Sequence, residues 1–234
     1  MYAIDSSQID QFIHYAFWLV ECNKVMNLTG ITDPAEIVVK HFVDSLTLLP
    51  YLDRAWQSAA PDLNGSSFSL ADVGTGAGFP GLPIKIMRPQ LKLVLVDSLK
   101  KRIRFLETVV ANLSLSDVSC FHLRAEDAGR HPTLRDRLDA VTARAVAPMA
   151  VLAEYCLPLV KSGGYFWAMK GEADQELKQA ERAIRKLAGR TKGIDSFYLP
   201  KTDMARTVIT IKKIKPTPKS FPRANGIPKR RPLT

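Results

Sequence analysis

The chain has 234 residues, 46% of them hydrophobic, which suffices for one sizeable core with a small appendage but not for two full domains. No apolar run approaches the length of about 18 residues that a membrane span needs, and the polar, acidic start MYAIDSSQIDQF lacks the features of a secretory leader. The formal charge of +10 points to a polyanionic partner, while three scattered cysteines (Cys22, Cys120 and Cys156) without a CxxC pair exclude a zinc ribbon or disulfide framework and suit a reducing, cytoplasmic compartment.

The N-terminal 1–56 read as a helical segment. Ile9, Phe12, Ile13, Ala16 and Val20 recur at helical spacing. A second helix starts at Asp33-Pro34-Ala35-Glu36, with Asp as cap, Pro at the first helical position and Glu three after the cap. Val38, Phe42, Leu46 and Leu49 continue its apolar face, and the turn-prone 23–30 separates the two helices. Residues 57–67, rich in Ser, Ala, Asn and Gly, read as a loop.

From Phe68 the pattern alternates. Strands are expected at 68–73, 91–96, 118–123, 140–143, 165–169 and 206–213, and helices at 80–88, from a Ser98 cap onward, at 147–160 and at 173–188. Such alternation predicts an α/β fold, a mostly parallel sheet with helices on both faces, spanning 68–214. The last segment, 215–234, holds six positive charges, five prolines and no acids, and reads as an extended, poorly ordered basic tail. With the tail and the two lysines before it, Lys212 and Lys213, set aside, the rest of the chain is left at about +2, ordinary for a globular domain.

The most informative motif is Asp72-Val73-Gly74-Thr75-Gly76-Ala77-Gly78-Phe79-Pro80-Gly81 at the end of the first strand. Gly-rich turns there let the backbone approach a nucleotide cofactor and turn sharply into a helix. The dinucleotide pattern GxGxxG fails from Gly74, because Phe79 stands where glycine is needed, and from Gly76 it matches only two residues late with Pro80 inside it. A P-loop is excluded because no GK[ST] follows. Asp97 ends the second strand, where a carboxylate can accept hydrogen bonds from both hydroxyls of a ribose, so an adenosyl ligand is expected.

Arg124-Ala125-Glu126-Asp127 follows the third strand and reads either as a ligand-facing loop or as a helix start that favours acids. Arg144 ends the fourth strand, where ligands of open α/β sheets bind; a surface ion pair is the alternative. Asn27 reads either as a polar group facing the site or as a turn or cap. His41 and Asp44, three apart, are expected to hold the N-terminal segment onto the sheet, and no histidine has metal-ligand spacing.

Taken together, Asn27-Leu28-Thr29, His41-Phe42-Val43-Asp44-Ser45, DVGTGAGFPG (72–81), Asp97-Ser98 with Lys101-Arg102, Ala125-Glu126, Ala143-Arg144-Ala145 and Met169-Lys170-Gly171 resemble the bacterial 16S ribosomal RNA guanine-N7 methyltransferases, the glucose-inhibited division protein B family. The resemblance implies a class I methyltransferase fold with an added N-terminal helical segment, and S-adenosyl-L-methionine as cofactor. It implies cofactor contacts at Gly74, Phe79, Ala125, Glu126 and Arg144, with Asp97 toward the ribose; Gly76 and Gly78 complete the turn. Arg144 and Asn27 are the candidate catalytic residues. The expected partner is 16S ribosomal RNA, free or in an assembling small subunit, met by a monomer away from any membrane. The rival readings are a small-molecule methyltransferase, which leaves the basic tail unused, an NAD-dependent dehydrogenase, and a noncatalytic RNA-binding module, which leaves the Gly-rich turn and Asp97 unused.

Overall fold

The computed structural model describes residues 2–63, 67–171 and 174–233. Helix α1 (Ser6–Met26) begins at a capping box: Asp5 accepts the Gln8 amide N–H, and the Gln8 side chain accepts the Asp5 N–H. It buries Tyr15 and Leu19 and ends on Asn27, in a left-handed conformation. The break beyond it is organised by Asn23, whose amide oxygen accepts the N–H groups of Leu28 and Thr29. Asp33 then caps α2 (Pro34–Ile37) as its spacing predicts. The next segment, Val38–Val43, is π-helical before α3 (Asp44–Leu46). Its wider turn lets His41, Phe42, Asp44 and Ser45 all lie on the buried side. Helix α4 (Leu49–Leu63) extends through most of the expected 57–67 loop. The apolar face that carries Leu49, Leu52 and Ala55 into the core continues the helix past the point where composition suggests a loop; 64–66 fall outside the described residues.

The strands and helices then alternate: β1 (Ser69–Val73), α5 (Gly81–Met87), β2 (Lys92–Asp97), α6 (Lys100–Asn112), β3 (Val118–His122), α7 (Ala125–Ala128), β4 (Leu138–Arg144), α8 (Met149–Cys156), β5 (Val160–Lys170), α9 (Asp174–Lys186), β6 (Gly189–Tyr198) and β7 (Ala205–Lys213). Their order in the sheet is β3-β2-β1-β4-β5-β7-β6, with β7 antiparallel to both neighbours and the other pairings parallel. The α/β class and the mostly parallel sheet are as expected. Strand β6 is an edge strand whose polar residues hide it from a hydrophobicity pattern. Ser98 does not cap α6; the cap position is Leu99, with its side chain 43% exposed.

One apolar cluster lies between the sheet and α1, α4, α5 and α6; the other lies under α8, α9 and the C-terminal segment. Because β1 pairs with β2 on one side and β4 on the other, successive connections run to opposite faces, and a crevice opens at the C-terminal ends of these strands.

The segment after Ile214 is not the extended tail its composition predicts. Phe221 and Leu233 are buried against the second cluster. Arg135 donates to the carbonyls of Thr217 and Phe221, both at 2.8 Å. Arg223 forms hydrogen bonds with both carboxylate oxygens of the fully buried Glu154, and a short helix, α10 (Ile227–Arg230), follows. Proline-rich and basic, the segment has no core of its own, but two apolar anchors and these polar contacts order it on the domain. Truncation after Ile214 is therefore expected to remove a buried ion pair and a buried Phe, lowering stability by about 4–8 kcal/mol and the melting temperature by roughly 10 °C or more. A thermal melt followed by circular dichroism checks this; an unchanged midpoint would return the segment to a loose tail.

Candidate active site

The Gly-rich loop leaves β1 through Gly74 (φ 69°), Gly76 (φ 62°) and Gly78 (φ 101°), a left-handed path that side chains rarely follow. The N–H groups of Gly74 and Thr75 close on the Val96 carbonyl at 2.8 and 3.2 Å. Beneath the loop, the fully buried Asp72 carboxylate accepts the Thr75 hydroxyl at 2.7 Å and the Gly81 N–H at 2.9 Å. Burial pushes its pKa up to about 6 despite these donors. A Cβ on Gly74 would lie 2.7 Å from Val146 Cγ2, so this glycine is required by space as well as by φ.

Asp97 is 3% exposed at the end of β2. One oxygen accepts the Gly76 N–H at 3.0 Å and meets Arg102 at 3.3 Å, and the other accepts the Leu99 N–H at 2.9 Å. These bonds hold the carboxylate at the rim of a cleft of about 340 Å³ whose walls include Gly74, Asp97, Arg102, Ala125, Glu126, Val146 and Tyr155. Glu126 is buried and accepts the N–H of Gly226, from the C-terminal segment, at 2.8 Å. Burial, with the Glu126 carboxylate beside it, pushes the Tyr155 phenol up to about 12.

A second cleft of about 480 Å³ adjoins the first and shares Ala145 with it. Ala145 is left-handed (φ 55°), an uncommon state for a non-glycine residue, and it turns the chain between the two clefts. The second cleft is lined by Lys40, His41, Asp44, Arg144, Met169, Lys170, Gly171, Glu176 and Arg206, so four cations face two carboxylates. Arg144 donates to Asp44 Oδ2 at 3.0 Å and lies over the Phe79 ring at 5.3 Å. Arg206 reaches the other Asp44 oxygen, also at 3.0 Å. His41 stacks on Phe79, with 4.4 Å between ring centres.

Burial, reinforced by the Arg144 guanidinium, lowers the His41 pKa to about 4. His41 Nε2 lies 2.9 Å from Thr29 Oγ1, and Nδ1 lies 3.4 Å from Arg144 Nη2, a group that can only donate.

Of the expected site residues, Gly74, Asp97, Ala125 and Glu126 line the first cleft and Arg144 the second. Arg144 is neither free nor on the surface: it is an ion pair with 15% of its side chain exposed. Gly76 and Gly78 shape the loop without lining either cleft. The Phe79 ring is 6% exposed and packs on His41 and Tyr15, among the N-terminal helices. Asn27 lines neither cleft; it is the exposed C-cap of α1, the cap alternative of its sequence reading. His41 and Asp44 do not hydrogen-bond to each other through their side chains; both turn to Arg144. Tyr155, Arg206, Gly226 and Lys229 carry no local signal, since their places in the clefts depend on chain brought from far away.

A Gly-rich turn after β1, a carboxylate ending β2 and an antiparallel β7 inserted beside β5 define a class I, S-adenosylmethionine-dependent methyltransferase. The rRNA small subunit methyltransferase G (GidB) profile matches residues 8–204, and the chain belongs to that family. A Lactobacillus johnsonii protein named ribosomal RNA small subunit methyltransferase G is 49% identical, over 99% of this chain and 94% of that one. One of the same name from Acetivibrio thermocellus is 46% identical, over 99% and 91%. In fold alone, the chain resembles a solved 16S rRNA (adenine(1408)-N(1))-methyltransferase from Catenulisporales acidiphilia, with a TM-score of 0.51 at 14% identity over 69% of this chain and 92% of that one.

Two substitutions probe the first cleft. Gly74→Val is expected to abolish binding of S-adenosylmethionine and of its demethylated product, through backbone strain and the collision with Val146. Asp97→Ala is expected to weaken binding by about 1.5–3 kcal/mol, the range for hydrogen bonds to a charged group. Titration calorimetry checks both, and native affinity in both variants would remove this cleft as the cofactor site.

Proposed function

We propose that the protein methylates N7 of a guanosine in 16S ribosomal RNA, free or in an assembling small subunit, acting as a cytoplasmic monomer. The observation that carries this reading is the meeting of the two clefts at Ala145, one walled by Gly74 and Asp97, the other lined with cations suited to a polyanion. The residues of the first cleft fit S-adenosylmethionine. The left-handed Gly74 carries the backbone along the cleft wall, where a side chain would collide with Val146; Asp97 would offer a fixed carboxylate to the ribose, and Ala125 and Glu126 would face the purine. When bound, that cofactor supplies a methyl group on a cationic sulfur.

Guanine N7 has an exposed lone pair and no proton, so the chain needs no general base. What it must do is hold the two reactants in line. Arg144 is fixed for this by Asp44, the Lys40 carbonyl and the Phe79 ring. His41, neutral at pH 7, adds no charge where the purine becomes cationic. In the second cleft Lys40, Lys170 and Arg206, paired in the free protein with Glu36, Glu176 and Asp44, would meet the phosphates that flank the target base.

The direct test maps methylated nucleotides in 16S ribosomal RNA from cells with and without the gene; an unchanged map would overturn the proposal. Single-turnover methylation is expected to be flat from about pH 6.5 to about pH 8.5, because no essential base titrates there. Asp72 is ionised above its pKa of about 6, and His41 stays neutral down to about 4. A bell-shaped profile within that range would indicate a nucleophile that must lose a proton. Arg144→Lys is expected to cost most of the activity while the protein stays folded, since an ammonium cannot reproduce the guanidinium's fixed fork of donors. Near-normal turnover would show that Arg144 only joins the N-terminal helices to the sheet.

A further inference from the structure

The first cleft has a wall that the methyltransferase sheet does not supply. Gly226 and Lys229, from the C-terminal segment, line it together with Gly74, Asp97 and Glu126. The segment is anchored on both sides of its approach. Upstream, Arg223 is locked onto buried Glu154 through its backbone N–H, Nε and Nη2, at 2.6–3.1 Å. Pro222 packs so closely on Gly129, at the end of α7, that a Cβ there would fall 2.8 Å from the proline ring. At the other end of α7, Asn225 Nδ2 donates to Asp127 at 3.0 Å and the Gly226 N–H to Glu126 at 2.8 Å. Gly226 can aim its N–H this way because it is left-handed (φ 79°).

We propose that this segment is a working part of the cofactor site: the Asn225–Gly226 turn positions the Glu126 carboxylate, and Lys229 presents a cation to the adenosyl group. The proposal rests on the cofactor reading given above. Adenine offers ring nitrogens that only accept hydrogen bonds, and an ammonium group carries three donors and no acceptor. Among the described residues Lys229 forms no ion pair, whereas Arg102, on the same wall, is tied to Asp97. Arg124, the third cation on this wall, also forms no ion pair among the described residues but belongs to the turn just after β3, so Lys229 is the unpaired cation that the C-terminal segment adds to the cleft. Because the segment both borders the ligand and fixes Glu126, cofactor binding and docking of the segment are coupled, and coupling of two binding equilibria is reciprocal.

The test uses the full chain with S-adenosylhomocysteine as probe. Calorimetry is expected to show about tenfold weaker binding in Lys229→Ala, with the melting temperature unchanged because this side chain is exposed, and affinity kept in Lys229→Arg. Arg223→Ala, which frees the segment from Glu154, is expected to weaken binding by a similar factor. In the unaltered chain the probe is expected to slow tryptic cleavage after Lys229 and Arg230, and in Gly74→Val it is expected not to. The proposal is overturned if the full chain binds the probe and Lys229→Ala binds it equally well, or if the bound probe leaves tryptic cleavage of the segment unchanged. A full chain that fails to bind the probe would instead overturn the cofactor reading on which the proposal rests.

Discussion

Asp44 sits between two arginines, and the active face of the molecule depends on it. Its carboxylate, buried among the N-terminal helices, accepts one hydrogen bond from Arg144 at the end of β4 and one from Arg206 in β7. Those residues are far apart in the chain, so one side chain ties the helical segment to two different strands. Removing one member of such a buried group would leave the rest unpaired, typically at about 3–5 kcal/mol, so the three hold one another in place. Phe79 extends the connection: its ring lies beneath the Arg144 guanidinium and against His41, linking the Gly-rich loop to the same helices. The loop that shapes one cleft and the arginine that lines the other are thus positioned by the same few contacts.

Two buried titratable groups in this region have opposite effects on stability. His41 has its folded pKa lowered, from 6.5 to about 4, so the unfolded chain binds the proton better; this contribution is complete above about 6.5 and lost as pH falls. Asp72 has its folded pKa raised, from 3.8 to about 6, so its contribution is complete below about 3.8 and lost as pH rises through about 6. The windows overlap and the slopes have opposite sign, so the two groups largely offset each other across mildly acidic pH. Near neutrality Asp72 is a buried carboxylate whose second oxygen, Oδ1, has no hydrogen-bond partner. Its charge is tolerated because Thr75 and Gly81 donate to Oδ2 and because Arg144 lies near enough to favour the ionised form.

Much of the fold was legible because it depends on local pattern. The Asp33 cap, the glycines at 74, 76 and 78, Asp97 at the end of a strand and the apolar runs of the inner strands each act within a few residues of their own position. The misreadings share one cause. Strand β6 and the end of α4 have polar compositions, and they are ordered by neighbours outside their own sequence. The Phe79 ring, placed by its motif beside the Gly-rich turn, packs on His41 and Tyr15, neighbours that no local pattern announces. Asn27, a polar group in a turn, proved to be a helix cap. The C-terminal segment has the composition of a disordered tail, and Phe221, Leu233 and Arg223 order it only because β4, α8 and α9 leave a surface with buried Glu154 for them to fill.

By itself, the sequence determined the class of the sheet, the cofactor-type turn after β1 and the carboxylate that answers it, because periodicity, glycine backbone freedom and strand-end placement are short-range properties. Tertiary structure alone decided that Arg144 would be held by Asp44 and His41, that Ala145 would divide two clefts, and that Gly226 and Lys229 would complete the first of them. Each of these depends on groups about 100 residues apart, or more, meeting at hydrogen-bond or packing distance. Such meetings are set by the order in which strands join the sheet and by the burial of unlike segments against one core, and no local pattern of residues records either.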